Sequence, residues 1–113
     1  MDKDLKFGLL LDFYGGLLSQ RQSDIMNFYY NEDLSLGEIS DEIGISRQGV
    51  RDAIQKSQKL LVDFDESLGL MKRFEAIKTA LEKITDDLLD INVSESDKEK
   101  IGRIINKIDS IEF

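Results

Sequence analysis

Residues 35–54 contain the signals for two helices joined by a tight turn, and this stretch constrains the fold more than any other. Ser35 is a good N-cap residue, and Glu38, three positions later, completes a capping box. Ile39 and Ile43 are four residues apart and therefore share one helix face. Gly44 follows directly, where a helix ends and the backbone needs a positive φ. We expect a short helix that begins after Ser35 and ends before Gly44.

A second helix is expected directly after this turn. Ile45 is the apolar residue that plugs the turn, and Ser46 can cap the following helix. Four residues of that helix form an inward stripe at helical spacing: Val50, Ala53, Ile54 and Ser57. Two helices with this spacing and turn form a helix-turn-helix motif, which we expect to span residues 36–60.

The second helix of the motif carries the candidate chemistry. At about 100° per residue, its outward side presents Gln48, Arg51, Gln55 and Lys59, with Arg47 near the edge. Arg and Gln read guanine and adenine edges bidentately, and Lys and Arg neutralise phosphates. Any amphipathic helix has a polar outer face, but the preceding helix and turn favour nucleic-acid binding. The candidate nucleic-acid-binding residues are Ser46, Arg47, Gln48, Arg51, Gln55, Lys56 and Lys59.

Charge is distributed unevenly along the 113 residues, whose net charge is −8. Residues 1–45 carry a net charge of −6, residues 46–62 carry +3, and residues 63–113 carry −5. The basic block therefore coincides with the second helix of the motif. The acidic remainder repels the phosphate backbone and weakens the case for tight nonspecific DNA binding by a monomer.

Composition favours an all-α chain and argues against an enzyme. There is no proline, β-branched residues rarely alternate as in strands, and Leu, Ile, Glu, Asp and Lys dominate. The lack of cysteine excludes disulfides and thiolate metal sites, and the lack of histidine removes the commonest general base and metal ligand. We expect no catalytic residue, cofactor, metal or small-molecule substrate. Without a signal peptide or a long apolar span, we expect a cytoplasmic protein with no membrane insertion.

Two apolar helices are expected before the motif. The first covers residues 4–18 and should be well buried through one stripe, Leu5, Leu9, Phe13 and Leu17, widened by Leu10, Tyr14 and Leu18. The second covers roughly residues 20–31 and is capped by Ser19, with Ile25, Phe28 and Tyr29 on its buried face. Tyr29 and Tyr30 could stack on bases, but at this spacing we interpret them as core residues.

Two further helices are expected after the motif. Gly69 marks a possible bend, and residues 70–91 carry a heptad seam of Leu70, Phe74, Ile77, Leu81, Ile84, Leu88 and Ile91. Ser94 begins a final helix lined by Ile101, Ile104, Ile105, Ile108 and Ile111. These helices could form an antiparallel hairpin or bury the seam against another subunit. We expect a helix-turn-helix domain over 1–62, a helical extension over 63–113, and a homodimer formed through residues 70–111.

Several runs resemble known helix-turn-helix proteins. Leu18–Gln22, Phe28–Ser35, Glu38–Ile39 and Gly44–Val50 resemble region 4 of bacterial sigma factors, which reads promoters and differs from winged-helix domains. Residues 5–75 more closely resemble the YlxM family of small helix-turn-helix proteins. The residues that support this are Asp12-Phe13-Tyr14 with Leu17-Leu18, Leu34 to Ile39, and Lys59-Leu60-Leu61.

The resemblance implies a regulatory role and a choice of partners. YlxM proteins are encoded beside the genes for the signal recognition particle (SRP) GTPase and its receptor, which implies a part in that protein-targeting pathway. The sigma-like motif implies binding to DNA or to SRP RNA. An alternative is an interaction factor that binds the SRP GTPase or its RNA without binding DNA. Two positions depart from the usual motif: Ser40 replaces a small apolar residue, and Gly49 either admits a close backbone or phosphate or makes the helix a poorer reader of bases.

Overall fold

The computed structural model describes residues 3–111, which form six α-helices and contain no strand. The helices are α1 (Leu5–Tyr14), α2 (Gln20–Tyr30), α3 (Leu36–Ile43), α4 (Arg47–Leu68), α5 (Leu70–Leu89) and α6 (Glu95–Asp109), and a 3-10 turn, Gly15–Leu17, follows α1. The all-α prediction is confirmed. The chain divides into two compact units, Met1–Met71 and Lys72–Phe113. The boundary expected at residue 62 falls inside α4.

The helix starts follow the capping residues seen in the sequence. Ser35 Oγ accepts from the Glu38 backbone N–H at 3.1 Å, and Glu38 Oε1 accepts from the Ser35 N–H at 3.1 Å. Ser19 caps α2 in the same reciprocal way, and Ser94 Oγ accepts from the backbone N–H of Asp97 at 3.3 Å. Each cap satisfies a backbone donor that has no partner within its own helix.

The core of the first unit is built around α4, which packs against α1, α2 and α3. Its inward stripe supplies Val50, Ile54 and Leu61, all essentially inaccessible to solvent. The motif was expected to end near residue 60, but α4 continues to Leu68 because apolar residues continue along its inner face and no helix breaker occurs before Gly69. The remaining buried apolar residues are Leu10, Leu11, Tyr14, Leu18, Ile25, Met26, Tyr29 and Ile39.

The predicted buried stripe of the first helix is wrong. Leu5, Leu9 and Leu17 are 85%, 52% and 58% exposed, and Phe13 is only half-buried. The residues expected to widen the stripe, Leu10, Tyr14 and Leu18, are buried as predicted, and the core is also reached by Leu11 and the half-buried Phe7. The helical part of the segment also ends at Tyr14 rather than at residue 18. The sequence of α1 is apolar on nearly every side, so its periodicity could not select the buried face.

The second helix follows its prediction more closely. Ile25 and Tyr29 are buried as expected, Phe28 is half-buried against the core, and Met26 is a fully buried residue that the sequence pattern missed. The Tyr30 and Tyr29 rings pack edge to face, with their centroids 5.0 Å apart. The interpretation of both tyrosines as core residues is confirmed, because Tyr29 is 3% exposed and the partly buried Tyr30 ring packs against the core.

The junction between α4 and α5 is held by a tyrosine from α1. Gly69, where the sequence suggested a bend, adopts a left-handed conformation with φ 63°. The Tyr14 hydroxyl donates to Asp65 Oδ1 at 2.7 Å and accepts from the backbone N–H of Leu70 at 2.9 Å. Burial, and then the hydrogen bond to the Asp65 carboxylate, raise the pKa of Tyr14 above its usual value.

In the second unit, α5 and α6 form an antiparallel hairpin that leaves the heptad seam no more than half-buried. Leu81 lines one recess of about 300 Å³ together with Ile108. Leu88 lines another of about 230 Å³ with Ile101 and Ile105. The earlier of the two α5 residues, Leu81, lies near the later α6 residue, Ile108, so the two helices run in opposite directions. The hairpin therefore forms within one chain, although neither helix has a fully buried residue.

Candidate nucleic-acid interface

The turn of the motif is closed by two hydrogen bonds of Ser40, one through its backbone and one through its side chain. Gly44 ends α3 in the left-handed conformation, with φ 82°, and its N–H donates to the Ser40 carbonyl at 2.9 Å. The Ser40 hydroxyl donates to the carbonyl of Ile45 across the turn. Ser40 departs from the usual small apolar residue, and this hydrogen bond gives the departure a structural reason.

Gly49 faces the turn rather than an external ligand. Its N–H donates to Ser46 Oγ at 3.0 Å, which caps α4. A Cβ at position 49 would lie 3.2 Å from Ser46 Oγ and 3.5 Å from Ile45 Cδ1. The glycine is therefore explained by packing at the helix start, and the space beside it is not open to an approaching phosphate.

All seven candidate residues are exposed; Ser46 is the N-cap of α4, and the other six form two groups along the helix. Arg47, Gln48 and Arg51 occupy the first two turns. Gln55, Lys56 and Lys59 lie farther along the helix. At 1.5 Å per residue, Lys59 is about 18 Å along the axis from Arg47. This distance exceeds the roughly 12 Å width of a DNA major groove, so the two groups would meet different parts of a bound duplex.

The first group shares a recess with the start of α3. Arg47, Gln48 and Arg51 line a depression of about 400 Å³ together with Ser35, Leu36 and Gly37. A Cβ at position 37 would lie 3.1 Å from Nη2 of Arg47, so the guanidinium lies directly against the glycine. The first backbone N–H groups of a helix lack acceptors within the helix, and the helix dipole favours an anion there.

Arg51 also lines a neighbouring recess that the sequence did not predict. This recess, about 400 Å³, includes Lys3, Tyr29 and Asp33. Lys3 Nζ lies 2.8 Å from Asp33 Oδ1 and 4.2 Å from the centre of the Tyr29 ring. The hydrogen bond and charge of Lys3 lower the pKa of Asp33 below its usual value. The sequence does not predict Lys3 as a neighbour of Arg51, because Lys3 and its ion-pair partner Asp33 are thirty residues apart. Ser35 and Gly37 could be expected near Arg51, because they lie at the start of the motif.

The positive charges of α4 are free of carboxylate partners. Within residues 3–111, Arg47, Arg51, Lys56 and Lys59 make no ion pair. Gln48 differs, because its Nε2 donates to Asp52 Oδ1 at 2.8 Å on the exposed side of the same helix. Arg51 is therefore better placed than Gln48 to contact a base, since Gln48 would first have to release Asp52.

Residues 3–111 contain neither a helix long and apolar enough to cross a bilayer nor a group of three acidic side chains that could hold a metal ion.

Comparison with known proteins places the chain in a family. Residues 1–101 match the UPF0122 family, described as "Putative helix-turn-helix protein, YlxM / p13 like". A UPF0122 protein of Thermoanaerobacter pseudethanolicus is 46% identical over 109 residues, which cover 96% of this chain and 92% of that protein. Those of Acetivibrio thermocellus and Halalkalibacterium halodurans are 40% and 32% identical, covering 98% and 99% of this chain and 97% and 99% of theirs. The chain therefore belongs to the UPF0122 family of YlxM/p13-like helix-turn-helix proteins.

Proposed function

We propose that this protein is a nucleic-acid-binding regulator that uses the N-terminal half of α4. The observation that carries the proposal is the recess in which Arg47, Gln48 and Arg51 meet the start of α3. Both arginines are exposed and lack ion-pair partners within residues 3–111. Unpaired guanidinium groups beside backbone N–H groups are suited to phosphate oxygens.

The candidate residues have different roles in this proposal. Arg47, held against Gly37, contacts a phosphate beside the start of α3. Arg51 contacts a base edge or the next phosphate, because it borders both recesses. Lys56 and Lys59 contact phosphates farther along the strand, since lysine acts as a point charge. Gln55 is the second candidate for a base contact.

We propose DNA as the target, with SRP RNA as the alternative, and a cytoplasmic homodimer as the active form. The resemblance to region 4 of sigma factors supports DNA, because that region reads promoters. The family resemblance to YlxM supports a setting in the SRP pathway. A dimer would present two copies of the basic half of α4 to two half-sites.

The experiment compares Arg51→Ala with Arg21→Ala. Both substitutions remove one exposed arginine from the first unit, but Arg21 lies on α2, outside the motif. Gel-shift titrations use duplex DNA from the control region of the protein's own operon and, separately, SRP RNA. Arg51→Ala should weaken binding to the correct target by about 1–3 kcal/mol and reduce discrimination. Arg21→Ala should leave both unchanged.

Lys59→Ala separates phosphate contact from base contact. It should weaken binding to all sequences and lower the salt slope by about one. If neither Arg51→Ala nor Lys59→Ala changes binding to DNA or RNA, the nucleic-acid proposal fails. Retained association with the purified SRP GTPase by the same variants would then favour an interaction factor whose motif is a scaffold.

A further inference from the structure

One half of the α5 seam remains uncovered. Ile77 and Ile84 are seven residues apart on α5 and are both 48% exposed, whereas Ile91 lies beyond the end of α5 and lines a recess with Leu88. The other half, Phe74, Leu81 and Leu88, is half-buried, and Leu81 and Leu88 line the recesses shared with α6. An exposed row of isoleucines at heptad spacing is typical of a helix that packs against another helix.

The charges on α5 favour an antiparallel partner of the same sequence. Its first ten residues carry a net charge of +2 and its last ten a net charge of −2. Two copies of α5 that run in opposite directions therefore place opposite charges side by side. Parallel copies would place like charges together.

The edge of the isoleucine row has the same symmetry. At 100° per residue, Arg73, Ala80 and Asp87 lie seven residues apart along the edge beside Ile77 and Ile84. Within residues 3–111 neither Arg73 nor Asp87 belongs to an ion pair. Ala80 is exposed and small enough to allow two helices to approach closely at this point.

We propose that this face of α5 binds a second copy of the chain, with a two-fold axis beside Ala80. Positions whose numbers add to about 160 then face each other in the antiparallel pair. Ile77 packs against the partner's Ile84, and Arg73 pairs with the partner's Asp87, each contact occurring twice. The inference rests on the homodimer proposed above and identifies its interface.

The first test measures mass without any nucleic acid. Light scattering at micromolar concentration should give twice the chain mass of 12.9 kDa. Ile84→Asp should give the mass of one chain and keep the helical circular dichroism, because Ile84 is half exposed. Leu81→Asp should instead lose helicity, since Leu81 lies inside the hairpin. A wild-type mass of one chain would overturn the interface and the homodimer, but it would leave nucleic-acid binding to its own test.

The second test locates the axis with single cysteines, because the natural chain has none. Ala80→Cys should form a disulfide-linked dimer under mild oxidation. Thr79→Cys is the matched control, since Thr79 is exposed and lies 100° further around the helix, on its outer side. A dimer that cross-links equally through both positions, or only through Thr79→Cys, would overturn this face while leaving a homodimer in place.

The third test reverses the charges. Arg73→Asp and Asp87→Arg should each raise the dimer dissociation constant roughly tenfold, because each places two pairs of like charges together. The double variant should return to near the wild-type value, because both pairs are restored with reversed sign. A double variant in which the two increases in the dimer dissociation constant combine, rather than cancel, would exclude the antiparallel register.

Discussion

Two serines of the motif region have opposite surroundings. Ser40 is half-buried and its hydroxyl donates to the carbonyl of Ile45. Ser57 is completely buried on the inward stripe of α4, and its hydroxyl has no hydrogen-bond partner among residues 3–111. A buried hydroxyl without a partner costs desolvation free energy that no interaction repays. The sequence places both serines correctly on their helices but cannot distinguish the bonded hydroxyl from the unbonded one.

We expect Ser57→Ala to raise the free energy of unfolding by about 1 kcal/mol. The change removes an unpaired polar group and substitutes a better helix former. Urea denaturation followed by circular dichroism at 222 nm measures the difference.

Ser40→Ala is the matched control for this prediction. It removes a hydroxyl of the same size that does make a hydrogen bond, so it should lower the free energy of unfolding by about 1 kcal/mol. A loss of stability in Ser57→Ala as large as that in Ser40→Ala would mean that the Ser57 hydroxyl has a partner in solution.

At the scale of helices, the sequence predicts ends well because their causes are local. Ser35, Ser46 and Ser94 each cap the helix that follows them, through contacts three residues away. Gly44 and Gly69 each adopt the left-handed conformation that ends a helix. These interactions involve neighbouring residues, so they can be recognised without knowledge of the tertiary fold.

Which face of a helix is buried depends on distant partners and is harder to predict. The face of α1 is selected by packing on α4, which begins more than thirty residues later. The α5 seam is continuous in sequence, yet Leu81 and Leu88 line recesses shared with α6 whereas Ile77 and Ile84 are about half exposed. The candidate interface shows the same limit. Its residues on α4 were predicted from the sequence, but the presence of Lys3 in the recess beside Arg51 was not.

The tyrosine that joins α1 to the α4–α5 junction makes stability depend on alkaline pH. The pKa of Tyr14 is raised in the folded protein, so the folded state favours the protonated phenol. The stability it contributes is complete below the unfolded-state pKa of about 10. It is lost as the pH rises through the higher folded-state pKa. We therefore expect the free energy of unfolding to fall above about pH 10.

Urea titrations between pH 8 and pH 11 check this prediction. Tyr14→Phe should be less stable at pH 8, because the hydrogen bonds to Asp65 and Leu70 are lost. The free energy of unfolding of Tyr14→Phe should also fall less steeply above pH 10 than that of the wild type. Some fall in the free energy of unfolding of Tyr14→Phe is still expected above pH 10, because burial also raises the pKa of Tyr30. Parallel curves for the wild type and Tyr14→Phe would contradict the assignment of the slope to Tyr14.

For the whole molecule, the proposed function requires an acidic chain to bind nucleic acid. The net charge of −8 opposes approach to phosphates, and each chain offers one basic segment, residues 46–62. A dimer doubles the number of basic segments that can contact one duplex. It doubles the acidic charge as well, so binding should depend on short-range contacts and should weaken steeply with salt.

The dependence on salt should therefore report the number of subunits in contact. If Arg47, Arg51, Lys56 and Lys59 each neutralise one phosphate, the logarithm of affinity should fall with the logarithm of salt with a slope of about −3.6 per subunit. If the wild type is the proposed dimer, it should show about twice this slope, and Ile84→Asp about half the wild-type value. Fluorescence anisotropy of a labelled duplex between 50 and 200 mM salt measures both slopes. Thr79→Asp is the control, because it adds the same charge to an exposed position on the outer side of α5. An Ile84→Asp slope equal to that of the wild type would mean that a single subunit makes all of the phosphate contacts.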